Sequence, residues 1–344
     1  MGSSVATTRT HDGFDGRPIR WYFYINSAPW LPNRFHDKAV MEGQRKFMGT
    51  LWNTYAFFVL YANIDDFDAT KYELKYDSLP VMDRWILSKL QSTIDAVDKN
   101  LDKYQIPEAA RALQDFVEDL SNWYVRRCRE RFWAKGMEQD KINAYMTLYT
   151  ALVEVSKAAA PMIPFMTEQI YQNLVRSIDA DAPESIHLCD FPKAKPEWID
   201  EQLEANMDHV LKTVVMGRAC RNAANIKNRQ PIAKMFVKAE FELSDFYKEI
   251  IEDELNVKNV EFTDDVRAFT TYNMKPQLKT VGPKYGKFLG GIQKHLAGID
   301  GNAAMDELEE SGALKFDVDG NAIELTKDDL LIEMTQQDPR KGRE

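Results

Sequence analysis

Cysteine is scarce in this chain. The three present, Cys128, Cys189 and Cys220, are odd in number and far apart. They offer neither a disulfide framework nor the paired spacing of a zinc site, and they suit a reducing cytoplasm. Long apolar runs are missing too. The longest, Tyr55 to Ala62, falls far short of the roughly 20 residues a membrane helix requires, so no membrane association is expected. There is no charged-then-apolar leader, no internal repeat and no low-complexity tract. Residues 1–17, rich in Gly, Ser and Thr, read as a tag-like or disordered terminus.

Catalytic signatures are equally sparse. Gly282-Pro283-Lys284-Tyr285-Gly286-Lys287 has three residues between its glycines where a phosphate loop has four, and Phe288 stands where a hydroxyl must hold magnesium. Asp317, Asp319 and Asn321 mimic the start of a calcium loop, but Ala322 occupies the position that needs glycine. The five histidines, His11, His36, His187, His209 and His295, have no neighbours that would build a triad or a zinc cage. No catalytic constellation, metal site or cofactor site is expected.

What is present is size, apolar content and segregated charge. The chain has 344 residues, 44% of them apolar, enough for two or three domains with cores of their own. Its net charge of −10 argues against indiscriminate nucleic-acid binding. The distribution is uneven, however. Asn206 to Lys238 holds seven basic residues and one acid, Leu120 to Lys141 six and three, and Thr271 to His295 five and none. Gly298 to Thr335 carries eleven acids and two lysines. Basic islands on an acidic chain suit a localised polyanion site, or else solvated faces that pair with nearby acids.

Apolar spacing makes the first half helical. Val40, Met41, Met48, Leu51, Trp52, Tyr55, Phe58 and Val59 fall on one helical face between Asp37 and Asn63. Pro80 opens a helix carrying Trp85, Ile86, Leu90, Ile94 and Val97, and Pro107 opens another carrying Leu113, Val117, Leu120, Tyr124, Cys128 and Phe132 up to Gly136. Two more cover Asp140 to Ala159 and the stretch after Pro164. The expected fold is mainly α: an antiparallel helix bundle over 38–178, preceded by a short segment at 18–37. A proline-rich linker at 179–199 leads to a connecting helix from Asp200 and a small α/β domain ending near 336, with a tail at 337–344. In that domain strands are expected at Met235 to Phe241 and Val257 to Phe262, with a helix between them. A hairpin is expected about Asp319-Gly320, and short helices at Pro283 to Leu296 and Asn302 to Glu310.

Two segments stand out. In Asn122 to Trp133, N-W-Y-V-R-R-C-R-E-R-F-W, helical rotation turns Arg126 and Arg129 outward and sets Arg127 and Arg131 at the margin of the buried stripe. Four guanidiniums in six residues call for anions, and a planar guanidinium grips phosphate through two parallel hydrogen bonds. The marginal pair could equally tie the helix to acids of the bundle. Trp123 and Trp133 could stack on bases or sit in the core. In Gly217 to Pro231, G-R-A-C-R-N-A-A-N-I-K-N-R-Q-P, Arg218, Arg221, Asn222 and Asn225 share one side of a small-residue helix, and Lys227 and Arg229 follow as it ends. Arg221 alone could also be an internal strut.

These two segments resemble the class I isoleucyl-tRNA synthetases. Asn122 to Trp133 is similar to the arginine-rich helix of that family's anticodon-binding bundle, and Gly217 to Pro231 to its N-I-K-x-R-Q-P region. Arg20 to Phe35 and Ala160 to Tyr171 resemble further segments, the latter shared with valyl and leucyl enzymes. The resemblance covers about Ile19 to Gln336. It implies a tRNA-binding fragment that recognises the anticodon arm of isoleucine tRNA, held between the bundle and the connecting helix. The expected RNA-binding residues are Arg126, Arg127, Arg129, Arg131, Arg218, Arg221, Asn222, Asn225, Lys227 and Arg229. The family's H-I-G-H element, K-M-S-K-S loop and inserted editing domain do not occur here. The fragment is therefore expected to need no cofactor and to be inactive alone; ATP and magnesium would serve the full enzyme, whose catalytic and editing domains are missing partners. A cytoplasmic monomer is expected. The rival readings are a helical protein-docking scaffold, or the same module of a valyl or leucyl enzyme.

Overall fold

The structure is a computed structural model that describes residues 16–28, 30–31, 35–239, 241–263 and 270–336. The expected tail at 337–344 lies outside the described residues, as does the tag-like stretch at 1–17 apart from its last two positions. The chain divides between Asp208 and His209 into two compact units.

The first unit is the expected bundle. Helix α1 spans Gly16–Asn26, α2 Asp37–Gly43, α3 Thr50–Ile64, α4 Val81–Asp102 and α5 Ile106–Asp119. Helix α6 follows at Arg126–Trp133, α7 at Gln139–Ala159 and α8 at Pro164–Tyr171. Helices α2 and α3 join through a wide π turn at Gln44–Gly49, and α5 and α6 through another at Leu120–Val125. Proline marks the helix starts, at Pro80 before α4, Pro107 in the first turn of α5 and Pro164 opening α8, because its missing N–H is one the first turn would leave unpaired anyway.

The stripe of Leu113, Val117, Leu120, Tyr124, Cys128 and Phe132 is buried along its whole length, as are Trp85, Ile86, Leu90, Ile94 and Val97 facing it. Met41, placed on the apolar face by spacing, is instead 59% exposed. The segment before the bundle packs onto it. Trp21 of α1 is completely buried and stacks on Phe47 with ring centroids 3.8 Å apart, while Arg20 donates to the carbonyls of Pro161 and Met162. The proline-rich stretch at 179–199 also packs down: Ile186 is buried, and Tyr76 stacks on Trp198 and donates to its carbonyl at 2.8 Å.

Helix α9, Glu201–Ala223, begins on the bundle. There Ser92 donates to Glu204 at 2.8 Å and Lys89 to Asp208 at 3.2 Å. Lys89 also lies 3.7 Å from Asp119.

In the second unit, β1 at Met235–Lys238 and β2 at Val260–Thr263 pair in parallel, joined by α10 at Asp245–Leu255. Strands β3 at Thr270–Pro276 and β6 at Leu330–Gln336 pair antiparallel, with Met274 opposite Ile332. Between them lie α11 at Leu278–Tyr285, α12 at Leu289–Gly298, α13 at Gly301–Ser311 and a hairpin of β4 at Ala313–Val318 and β5 at Asn321–Thr326. The hairpin turns at Asp319 and Gly320, with φ of 52° and 79°, the left-handed pair that matches strand twist. The pairing of β3 with β6 was not foreseen. Helices, strands and hairpin enclose one apolar cluster around Val281, Ile292, Leu314 and Leu325. Gly301 is required by contact: a β-carbon there would lie 1.6 Å from the Tyr272 carbonyl oxygen.

Candidate nucleic-acid interface

The arginine-rich helix separates its guanidiniums by role. Arg131 is a structural tie. It grips the fully buried carboxylate of Asp83 with Nη1–Oδ1 at 2.6 Å and Nη2–Oδ2 at 2.8 Å, and its Nε donates to Asp140 at 2.9 Å. The Tyr124 hydroxyl completes the shell of Asp83 at 2.7 Å. Burial by itself would lower the Arg131 pKa, but the hydrogen-bonded Asp83 carboxylate outweighs it and raises it. The same burial pushes the Cys128 thiol up to about 11, so it stays an unreactive core residue. Arg131, expected among the RNA contacts, thus spends its hydrogen bonds on the bundle, because α4 and α7 bring Asp83 and Asp140 to it.

Arg126 and Arg129 are exposed, as helical rotation required. Arg126 donates from Nε to the Asn122 carbonyl at 2.7 Å and lies 5.6 Å from the centre of the Trp123 ring. Arg129 lies 5.9 Å from the centres of both the Phe57 and Trp133 rings, and forms no ion pair with any described acid. Trp133 is 53% exposed and anchored at its edge, where Nε1 donates to the Tyr61 hydroxyl at 2.7 Å. Leu60 and Ile64, at 55% and 66%, are exposed on the same helix α3. The result is an aromatic platform with a guanidinium on it. Phe57 and Tyr61 are the residues the sequence reading missed, since they sit in the apolar run of α3, which reads as core. Arg127 is half-buried at the margin.

The second unit carries the other basic group. Arg218 donates to Glu254 at 2.7 Å, its side chain 43% exposed and that of Glu254 only 3%. Arg221 departs from the expected role. It is 3% exposed, and its guanidinium donates to the carbonyls of Lys227, Gln230, Leu255 and Asn256 at 2.5–3.1 Å. With its donors turned inward it cannot serve as an RNA contact. It clamps the loop after α9 to the C-terminal end of α10, where unpaired carbonyls and the helix dipole both favour a cation.

The small-residue side of α9 has the same cause: a β-carbon on Gly217 would lie 2.3 Å from Leu255 Cδ1. Asn222 and Asn225 are exposed, Asn225 at φ 54° in the turn that ends the helix. Lys227 and Arg229 are exposed on the clamped loop and form no ion pair with a described acid. Among the described residues no group of three or more His, Cys, Asp or Glu could hold a metal ion, and no helix is long and apolar enough to cross a membrane.

Residues 83–237 match the family model described as the anticodon-binding domain of tRNA ligase. The bundle and the helix after it therefore carry an anticodon-binding domain of the tRNA-ligase class. Beyond that domain, the chain is 47% identical over 315 residues to isoleucine–tRNA ligase of Clostridium tetani, covering 92% of this chain and 30% of the relative. The enzymes of Clostridium acetobutylicum and Porphyromonas gingivalis are 49% and 38% identical over 92% and 96% of this chain, covering 30% and 29% of their own lengths. The chain corresponds to one segment of isoleucine–tRNA ligase and spans about three-tenths of the curated relatives it matches.

Proposed function

We propose that this chain binds tRNA at the anticodon arm, with isoleucine tRNA as its cognate partner. The observation that carries the reading is Arg129, an exposed guanidinium with no carboxylate partner among the described residues, set between the Phe57 ring and the half-exposed Trp133. Unpaired bases of an RNA loop stack on aromatic faces and guanidinium planes, while arginine and lysine meet the phosphates. Arg126 and Arg127 extend this basic surface on the bundle. In the second unit Arg218, Lys227 and Arg229 supply charge, and Asn222 and Asn225 supply polar groups for base edges. Arg131 and Arg221 are positioning residues.

In the whole ligase, which attaches isoleucine to tRNA using ATP, the docked arm orients the acceptor end toward an adenylation site carried by other domains, in the cytoplasm. The test is a filter-binding titration with isoleucine tRNA and a non-cognate tRNA at two salt concentrations. Cognate binding that falls on the order of a thousand-fold from low to moderate salt is expected if about six phosphates are neutralised. Absent, equal or salt-insensitive binding would overturn the reading.

A further inference from the structure

The second unit holds a basic surface that the anticodon reading does not use. From Val266 to Ile299 the sequence contains six lysines and arginines and not one acid. Two of those lysines are committed, Lys275 to Glu333 at 3.2 Å and Lys284 to the buried Asp329 at 2.9 Å. Lys279, Lys287 and Lys294 are exposed, and none of the three forms an ion pair with a described acid. They sit on α11, on the turn Gly286–Phe288 and on α12.

The core fixes which way this segment faces. Val281, Ile292 and Leu296 are buried beneath it, and Lys294 stands two residues from both Ile292 and Leu296, about 200° round the helix from each. The backbone on the open side is bare. A β-carbon added at Gly282, Gly286 or Gly290 would meet nothing within 4 Å, so a partner can approach the main chain closely between the ammonium groups. A protein partner would require a large apolar centre, with aromatic anchors, in the contact. The exposed large apolar side chain here is Leu278. Compact ammonium charges on flexible stems suit phosphates held by charge and not by orientation, and the aromatics of this segment are turned to the core, Tyr285 and Phe288 packing against it and His295 stacking on Phe316.

We propose that the outward face of residues 278–298 is a second RNA-binding surface, which takes the sugar–phosphate backbone without reading sequence through Lys279, Lys287 and Lys294. The proposal rests on the tRNA reading above, since the RNA it takes is the one already bound. It adds affinity and not discrimination, because phosphate contacts position a nucleic acid and base contacts specify it.

The test compares K279Q/K287Q/K294Q with K234Q/K275Q/K315Q, a control with the same change in net charge at lysines already paired with Glu261, Glu333 and Glu324. Both are titrated with isoleucine tRNA over a salt series, with circular dichroism to confirm folding. Neutralising three phosphate contacts is expected to lower affinity about 10- to 100-fold at low salt and to flatten the log–log salt slope by about 2, equally for cognate and non-cognate tRNA. The control should follow the unaltered chain. If the first variant binds as the unaltered chain does, or both variants lose affinity alike, the surface is overturned while the anticodon reading stands. If the unaltered chain binds no tRNA, both fall together.

Discussion

Arg131 and Asp83 meet as two parallel hydrogen bonds, 2.6 Å and 2.8 Å long, at a carboxylate with no solvent exposure. The pair joins α6 to the first turn of α4, and Asp140 on α7 holds the other edge of the guanidinium. Removing one partner strands a buried charge, whereas a matched apolar replacement of both does not. Asp83→Ala is expected to cost about 3–5 kcal/mol, measured by urea denaturation. Asp83→Leu combined with Arg131→Met should recover much of that loss, and a double variant as unstable as the single one would contradict the account.

The platform on α6 makes a separable claim. Trp133→Ala should weaken isoleucine tRNA binding by about 1–3 kcal/mol through lost stacking, roughly 5- to 150-fold, with little change in the salt slope. Arg129→Ala should lower both affinity and slope. Unchanged binding in both variants would remove the platform from the interface.

For Arg221 the expectation is indirect. Arg221→Lys keeps the charge but cannot reach four carbonyls from one ammonium, so the loop bearing Lys227 and Arg229 loses its clamp. Stability should fall by about 1–3 kcal/mol, the scale of buried acceptors left unpaired. Hydrogen exchange over 226–231 should accelerate. Normal protection of that loop would show that the clamp is not Arg221.

Asp119 supplies a pH dependence. Burial raises its carboxyl to about 6, against the opposing pull of Lys89. Between roughly pH 4 and 6 the folded state therefore holds a proton that the unfolded chain has lost, and stability falls as pH rises through that window. Asp119→Asn should flatten the fall and raise stability near neutral pH, by at most about 3 kcal/mol for a two-unit shift. Thermal denaturation from pH 4 to 8 checks this; a variant that stays parallel to the unaltered chain would refute it.

The parts legible in the sequence were those set by short-range rules. Tyr124, Cys128 and Phe132 are buried because four-residue spacing places them on one face, and Asp319-Gly320 turns because few other pairs accept two left-handed residues. Arg126 and Arg129 face outward for the same rotational reason. Long-range partners were invisible. Nothing near Arg131 in the sequence announces Asp83, 48 positions away.

Arg221 was harder still, because its acceptors are main-chain carbonyls that every residue carries. Trp133 was obscured by its company, since a tryptophan at the end of a buried stripe reads as core until the helix ends beneath it. Strands β3 and β6 escaped because each completes its pairing only with a segment more than fifty residues away.

That clasp between β3 and β6 has a practical side. Everything from Leu278 to Asp329 is threaded between two strands that, among the described residues, pair only with each other. Removal of β6 would strip β3 of its mate and bare a row of main-chain donors and acceptors, an edge that recruits other chains. Strand β6 thus works as a latch, and its loss should announce itself as aggregation well before any change at the arginine helix is felt.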